Sequence, residues 1–207
     1  LDEDHVGLYL LDVSGHGVVS SLLSVSVNRV LTPMRGSPSV VLKRIFGTKQ
    51  YRPADPVEVG RKLNEAFPWD SETGQFFTLI YGVLDCRRRK LRYICAGHPA
   101  GILADASGNI TKLDGAGLPI GLQRKEYTAY ERTLVPGDRV YFYSDGLSEA
   151  LNVHDNVFGE ERLLKAIQEV RPLPLSSSVE SLVTYVRDWA RPRRFGDDVS
   201  VVALEIL

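Results

Sequence analysis

Between Phe76 and Tyr143 the chain offers a succession of short apolar runs separated by turn chemistry, and this spacing leaves little freedom in fold class. The runs are Phe76 to Leu84, Leu91 to Cys95, Gly101 to Ala104, Ile110 to Leu113, Tyr127 to Leu134 and Val140 to Tyr143. Their separators include residues 85–90, residues 105–109 and Pro136-Gly137-Asp138, all rich in residues that favour β-turns. Strands this close together argue for antiparallel sheet built from hairpins.

Helical patterns flank the strands. Val6 to Leu11 reads as a buried strand ending at Asp12, and after Gly17 the residues Val18, Leu22, Leu23, Val25, Val30 and Leu31 recur at mostly helical spacing as far as Pro33. Asp55-Pro56 offers an N-cap with proline at the first helical position, ahead of a face of Val59, Leu63 and Phe67. Glu160 to Val170 and Val179 to Ala190 read as helices, the second opened by a Ser177…Glu180 capping-box pattern, and Val199 to Ile206 reads as a closing strand. Met34 to Ala54, with its prolines and glycines, reads as a loop or insertion containing a short helix over Val40 to Phe46. The expected fold is α+β, with antiparallel sheets covered by helices on their outer faces.

The chain has 207 residues, of which 43% are hydrophobic, enough for one domain with a sizeable core over residues 1–207. A formal net charge of -1 gives no broad footprint for nucleic acid. No apolar run approaches the roughly 20 residues of a membrane-spanning helix. Cys86 and Cys95 make neither a disulfide framework nor a zinc pattern, so a reducing cytoplasm is the expected compartment. The polar start at Leu1 to His5, without an initiator methionine, reads as a fragment of a longer, N-terminally truncated polypeptide.

Three acidic motifs carry the chemistry: Asp12-Val13-Ser14-Gly15-His16-Gly17, Tyr143-Ser144-Asp145-Gly146 and Gly196-Asp197-Asp198. Each sits at a strand terminus, where a carboxylate is costly to bury and does no apolar packing. Carboxylates gathered at one sheet edge repel one another unless a cation neutralises them. Oxygen-only ligation favours magnesium or manganese over zinc, and such a metal suits phosphate-ester hydrolysis. Glu149, four residues after Asp145, is either a further carboxylate of the site or an ordinary solvated glutamate. His16 reads as a turn or supporting residue, Ser14 and Ser144 lack the partners of a serine nucleophile, and Arg191, Arg193 and Arg194 read as a solvated loop.

In order, these motifs combine with Phe76-Phe77-Thr78-Leu79, Leu84-Asp85, Ala96-Gly97-His98-Pro99, Gly117-Leu118-Pro119-Ile120-Gly121, Pro136-Gly137-Asp138, Leu147-Ser148-Glu149-Ala150, Phe158-Gly159 and Asp197-Asp198-Val199-Ser200. The series resembles the SpoIIE/RsbU-type serine phosphatases of the metal-dependent protein phosphatase (PPM, type 2C) superfamily, from about Val6 to Ile206. The resemblance implies an antiparallel β-sandwich flanked by helices on both outer faces, with two Mn2+ or Mg2+ ions at one edge. It gives Asp12 as the carboxylate bridging both metals, Val13 as the source of a backbone carbonyl, Asp145 and Asp197 as ligands of one metal, and Glu149 as a ligand for a third. It further implies a phosphoserine-bearing anti-anti-sigma (STAS) protein as substrate and a sensor or receiver domain ahead of this segment.

One departure stands out. The family's Gly-Gly-Asp pattern, roughly twenty residues before the Asp-Val-Ser-Gly motif, has no counterpart here, because eleven residues precede Asp12. The segment is therefore expected to lack one metal ligand and N-terminal edge strand(s). Two rival readings stay open, namely a catalytically impaired module that sequesters a regulatory partner, and a phosphodiesterase or nucleotide hydrolase using the same carboxylates. The oligomeric state is open as well, since the helix after Gly17 either packs within the domain or forms a homodimer surface.

Overall fold

The computed structural model describes residues 1–15, 17–33, 39–48, 50–69, 71, 74–123 and 126–207. Its elements in chain order are β1 (His5–Val13), α1 (Val18–Leu31), β2 (Leu42–Arg44), β3 (Tyr51–Pro53), α2 (Pro56–Ala66), β4 (Phe77–Asp85), β5 (Lys90–Ala96), β6 (Ile102–Ala104), β7 (Ile110–Lys112), β8 (Tyr130–Thr133), β9 (Arg139–Tyr143), α3 (Asp145–Ser148), α4 (Gly159–Val170), α5 (Leu175–Ala190) and β10 (Val201–Glu205). The fold is α+β with antiparallel sheets, as the sequence implies. The chain forms two compact units, one of residues 1–98 and 115–133, the other of residues 99–114 and 134–207.

In the first unit the sheet order is β1-β4-β5-β8. The β1–β4 ladder runs from His5 opposite Asp85 to Val13 opposite Phe77, and it places Asp12 opposite Thr78. β4 is buried along nearly its whole length, which explains its almost unbroken apolar sequence. Helix α2 begins where expected, because the Asp55 side chain accepts a hydrogen bond from the Val57 N–H at 2.9 Å and proline occupies the first turn. Val59 and Leu63 on this helix are fully buried, each contributing about 2 kcal/mol of apolar burial. Gly60 permits the close approach, since a Cβ there would lie 2.6 Å from the Tyr127 ring and 2.7 Å from Ile94.

The expected helix over Val40 to Phe46 is not formed. Leu42–Arg44 instead pairs with Tyr51–Pro53 as a hairpin, closed by the Ile45 N–H bond to the Gln50 carbonyl and by Gly47 at φ 77°. An isolated helix of that length gains too little from its own hydrogen bonds. The hairpin buries Val41 and Ala54, joined through the Ala54 N–H to the Val41 carbonyl at 2.9 Å. Part of the stretch expected as a loop, residues 34–38 and 49, lies outside the described residues.

In the second unit the order is β10-β9-β6-β7. β9 is buried throughout, flanked by β10 and β6. Helices α4 and α5 cover this unit's core with Leu163, Ala166, Ile167 and Val170 from one and Leu182, Val186 and Ala190 from the other, positions that recur at helical spacing. The capping box at Ser177 and Glu180 is a misreading. The helix starts earlier, at Leu175 after Pro174, and Ser178 is buried with its hydroxyl donating to the Leu175 carbonyl at 2.8 Å.

Candidate metal centre

Asp12 is half-buried near the end of β1, where the chain leaves the sheet through Gly15 (φ 81°) and Gly17 (φ 97°) to start α1. Both values lie in the region that favours glycine. Val13 closes the strand opposite Phe77. Ser14 then pins the turn: its N–H donates to the Phe76 carbonyl at 2.9 Å, and its hydroxyl accepts from the Phe76 N–H at 3.0 Å. Ser20 donates to the Ser14 carbonyl at 3.2 Å and accepts from Gln75 at 3.1 Å. Ser14 is thus a fastener of the turn. His16 lies outside the described residues.

Beside Asp12 the sheet supplies two further polar residues, Thr78 and His98. Thr78, across the ladder, has its hydroxyl 2.8 Å from Nδ1 of the buried His98. His98 follows Gly97, whose φ of 70° and contact with Pro119 leave no room for a side chain. The Gly97 N–H reaches the Gly117 carbonyl at 3.0 Å, and the Gly121 N–H reaches Asn64 at 2.8 Å. The Ala96–His98 and Gly117–Gly121 motifs therefore meet along β4, the neighbour of the Asp12 strand. Their glycines were visible in the sequence, but only pairing shows which histidine stands near which threonine.

In the second unit Asp145 is the first residue of α3, directly after buried β9. Its Oδ1 is buried and has no hydrogen-bond partner among the described residues. Asp197, exposed in the segment before β10, accepts the Asp198 N–H at 2.7 Å. Carboxylate oxygens of Asp145 and Asp197 lie within 4.8 Å of one another. Ser144 holds the two segments together: its hydroxyl donates to the Asp198 carbonyl and accepts from the Ser200 N–H, each at 2.9 Å, while its own N–H reaches the Ser200 carbonyl at 3.0 Å. A Cβ on Gly146 would sit 2.5 Å from the Asp198 carbonyl, so glycine is what allows the approach.

The other candidates separate. Glu149 is exposed at the C-cap of α3 and is not among the carboxylates that gather with Asp145. Arg191 and Arg193 pair with Asp188 at 3.2 Å and Asp155 at 2.9 Å on the surface, as a solvated loop would. Asp138 of the Pro136-Gly137-Asp138 motif is structural, its carboxylate accepting the Ala106 and Val135 N–H groups at 2.8 and 2.9 Å.

A buried carboxylate oxygen without a partner, facing a second carboxylate, suits a hard cation, because no protein donor offsets the lost hydration of Asp145 Oδ1. Antiparallel sheets with helices, and aspartates gathered at strand ends, are compatible with the class of metal-dependent protein phosphatases of the PP2C kind. Residues 2–207 match the family described as Stage II sporulation protein E (SpoIIE), and the chain belongs to that family. It is 29% identical over 153 residues to the phosphoserine phosphatase RsbP of Bacillus subtilis, covering 72% of this chain and 34% of that protein. The chain thus spans about a third of that relative's length. Among solved structures, the SiaA-PP2C domain of Pseudomonas aeruginosa superposes with a TM-score of 0.74 at 20% identity, covering 97% of this chain and 80% of that one. The catalytic domain of serine/threonine protein phosphatase PstP, solved in complex with two manganese ions, gives a TM-score of 0.58 at 18% identity over 95% of this chain and 86% of that one. These likenesses establish the PP2C fold.

Proposed function

We propose that this chain is a metal-dependent phosphatase domain acting on phosphoserine or phosphothreonine of a protein, with Asp12, Asp145 and Asp197 as the carboxylates that hold Mn2+ or Mg2+. The observation that carries the reading is the buried, unpartnered Oδ1 of Asp145 beside Asp197. Family membership and the manganese ions bound by PstP support it. Asp12 and the Val13 carbonyl would help to hold the ions, and Glu149, exposed at the end of α3, would serve a weaker third ion. When bound, the metal supplies neutralisation of charge at the phosphoryl group and a water of lowered pKa. The chain's own part is to keep the ligands in place: Ser144 ties the Asp197 segment to the end of β9, and Ser14 ties the Asp12 turn to β4.

The substrate we propose is a phosphorylated STAS-type regulatory protein, and the domain serves as the cytoplasmic output of a bacterial signalling chain with a sensor or receiver region. The resemblance to RsbP, named a phosphoserine phosphatase, supports this context. The test is manganese-dependent phosphate release from a phosphorylated STAS protein, run on the protein and on Asp145→Asn. The substitution should lower turnover at least a hundredfold and abolish calorimetric manganese binding at this site. Manganese binding with no phosphate release from any phosphoprotein would favour the sequestering module, and undiminished turnover in the variant would remove Asp145 from the site.

A further inference from the structure

At the β1 start of the first unit, the hairpin β2–β3, the first turn of α2 and the near ends of β4 and β5 enclose a cleft of about 630 Å³. That volume lies within the roughly 300–1,000 Å³ of small-molecule sites. Its apolar floor is Ala54, Pro56 and Val83, all buried. Around them stand Lys43, Arg52, Arg88, Lys90 and Arg92.

Asp55, Glu58, Asp85 and Glu131 also line the cleft and pair with every one of these cations but Arg52. Glu58 is shared between Lys43 at 3.1 Å and Lys62 at 3.3 Å, and Glu131 between Lys90 and Arg92. Asp85 serves Arg88 at 3.1 Å with His5 at 3.8 Å, and Asp55 takes the other side of Arg92 at 2.7 Å. Arg52 has no ion pair among the described residues. It stands directly opposite Lys43 in the hairpin ladder, and Lys43 is already held by Glu58, so Arg52 is the cation of that pair left unmatched.

We propose that this cleft binds a small organic phosphate of the nucleoside phosphate class, with its phosphate between Arg52 and Lys43 and its flat body on Ala54, Pro56 and Val83. Arginine suits the role because its planar fork matches phosphate oxygens. The apolar floor selects against inorganic phosphate, which leaves it uncovered. The site is separate from the aspartates, since His5 and Asp12 lie at opposite ends of β1, roughly 23 Å apart at strand rise.

The test is titration calorimetry with ADP, inorganic phosphate and adenosine, on metal-free protein in chelator-treated buffer so that the aspartates take no part. ADP should bind more tightly than either fragment and less tightly as salt rises. Arg52→Ala should weaken ADP binding about tenfold or more, the loss expected for a charge-assisted hydrogen bond, with Arg52→Lys intermediate. Arg132→Ala, an exposed arginine on β8 outside the cleft, should bind ADP unchanged. Arg52 has no ion pair to lose among the described residues, so both alanine variants should melt with the parent. Absence of ADP binding at millimolar concentration, phosphate binding as tightly as ADP, or equal losses in the two alanine variants would overturn the proposal.

Discussion

Gly146 shows how one missing side chain shapes the candidate centre. The contact that a Cβ would make is with backbone, the Asp198 carbonyl at 2.5 Å, so no rotamer change relieves it. Gly146→Ala should therefore push the Asp197–Asp198 segment away from α3, cost about 1–3 kcal/mol of stability and weaken manganese binding. Thermal melting and calorimetry on the same variant measure the two effects. At this scale the sequence was informative about aspartates and poor about their supports. Asp145 and Asp197 stand out by their place at strand ends, whereas Ser144, set aside as a nucleophile, shows its role only in the hydroxyl that bridges the Asp198 carbonyl and the Ser200 N–H. Thr78 and His98 lie within recognisable motifs, but their contact depends on a β4 register that no local pattern encodes.

At the level of elements, legibility followed the strength of the local signal. Helix α2 was readable because cap, proline and apolar face all agree. The hairpin at 42–53 was misread because its strands have three residues each, too short for any period to show. Helix α5 was placed late because a capping-box pattern inside a helix looks the same as one at its start, and burial of Ser178 decides between them. The cap of α2 invites measurement. Asp55→Ala removes the acceptor of the Val57 N–H and should destabilise the protein by about 1 kcal/mol, whereas Asp55→Asn should cost less because an amide oxygen still caps. The ion pair with Arg92 adds little, both side chains being well exposed. Chemical denaturation of the two variants separates cap from charge.

For the molecule as a whole, the titrating groups set a plateau of stability with two flanks. Burial acts to raise the Glu58 pKa, but the bonds from Lys43 and Lys62 outweigh it and leave the carboxyl below its ordinary value. The Lys90 hydrogen bond, with help from Arg92, lowers Glu131 in the same way. Such groups contribute stability that is complete above about pH 5 and is lost as the pH falls through their native values. Burial pushes the Cys95 thiol and the Tyr127 hydroxyl up to about 12. Their contribution is complete below about pH 8 and lost as the pH rises from the unfolded-state values, about 8.5 for cysteine and 10 for tyrosine. Melting temperature should accordingly be level between about pH 5 and 8 and fall on either side, which a series of thermal melts across buffers will check. Among the described residues no helix is long and apolar enough to cross a membrane.

The Ser144 bridge has one more consequence. Asp145 and Asp197 are separated along the chain by α4 and α5, yet Asp197 takes its position from the end of β9 through three hydrogen bonds. Geometry at the carboxylates is thereby insulated from the length of what lies between them. A change in the length or surface of that helical excursion therefore need not move the aspartate pair, which a single serine holds in register.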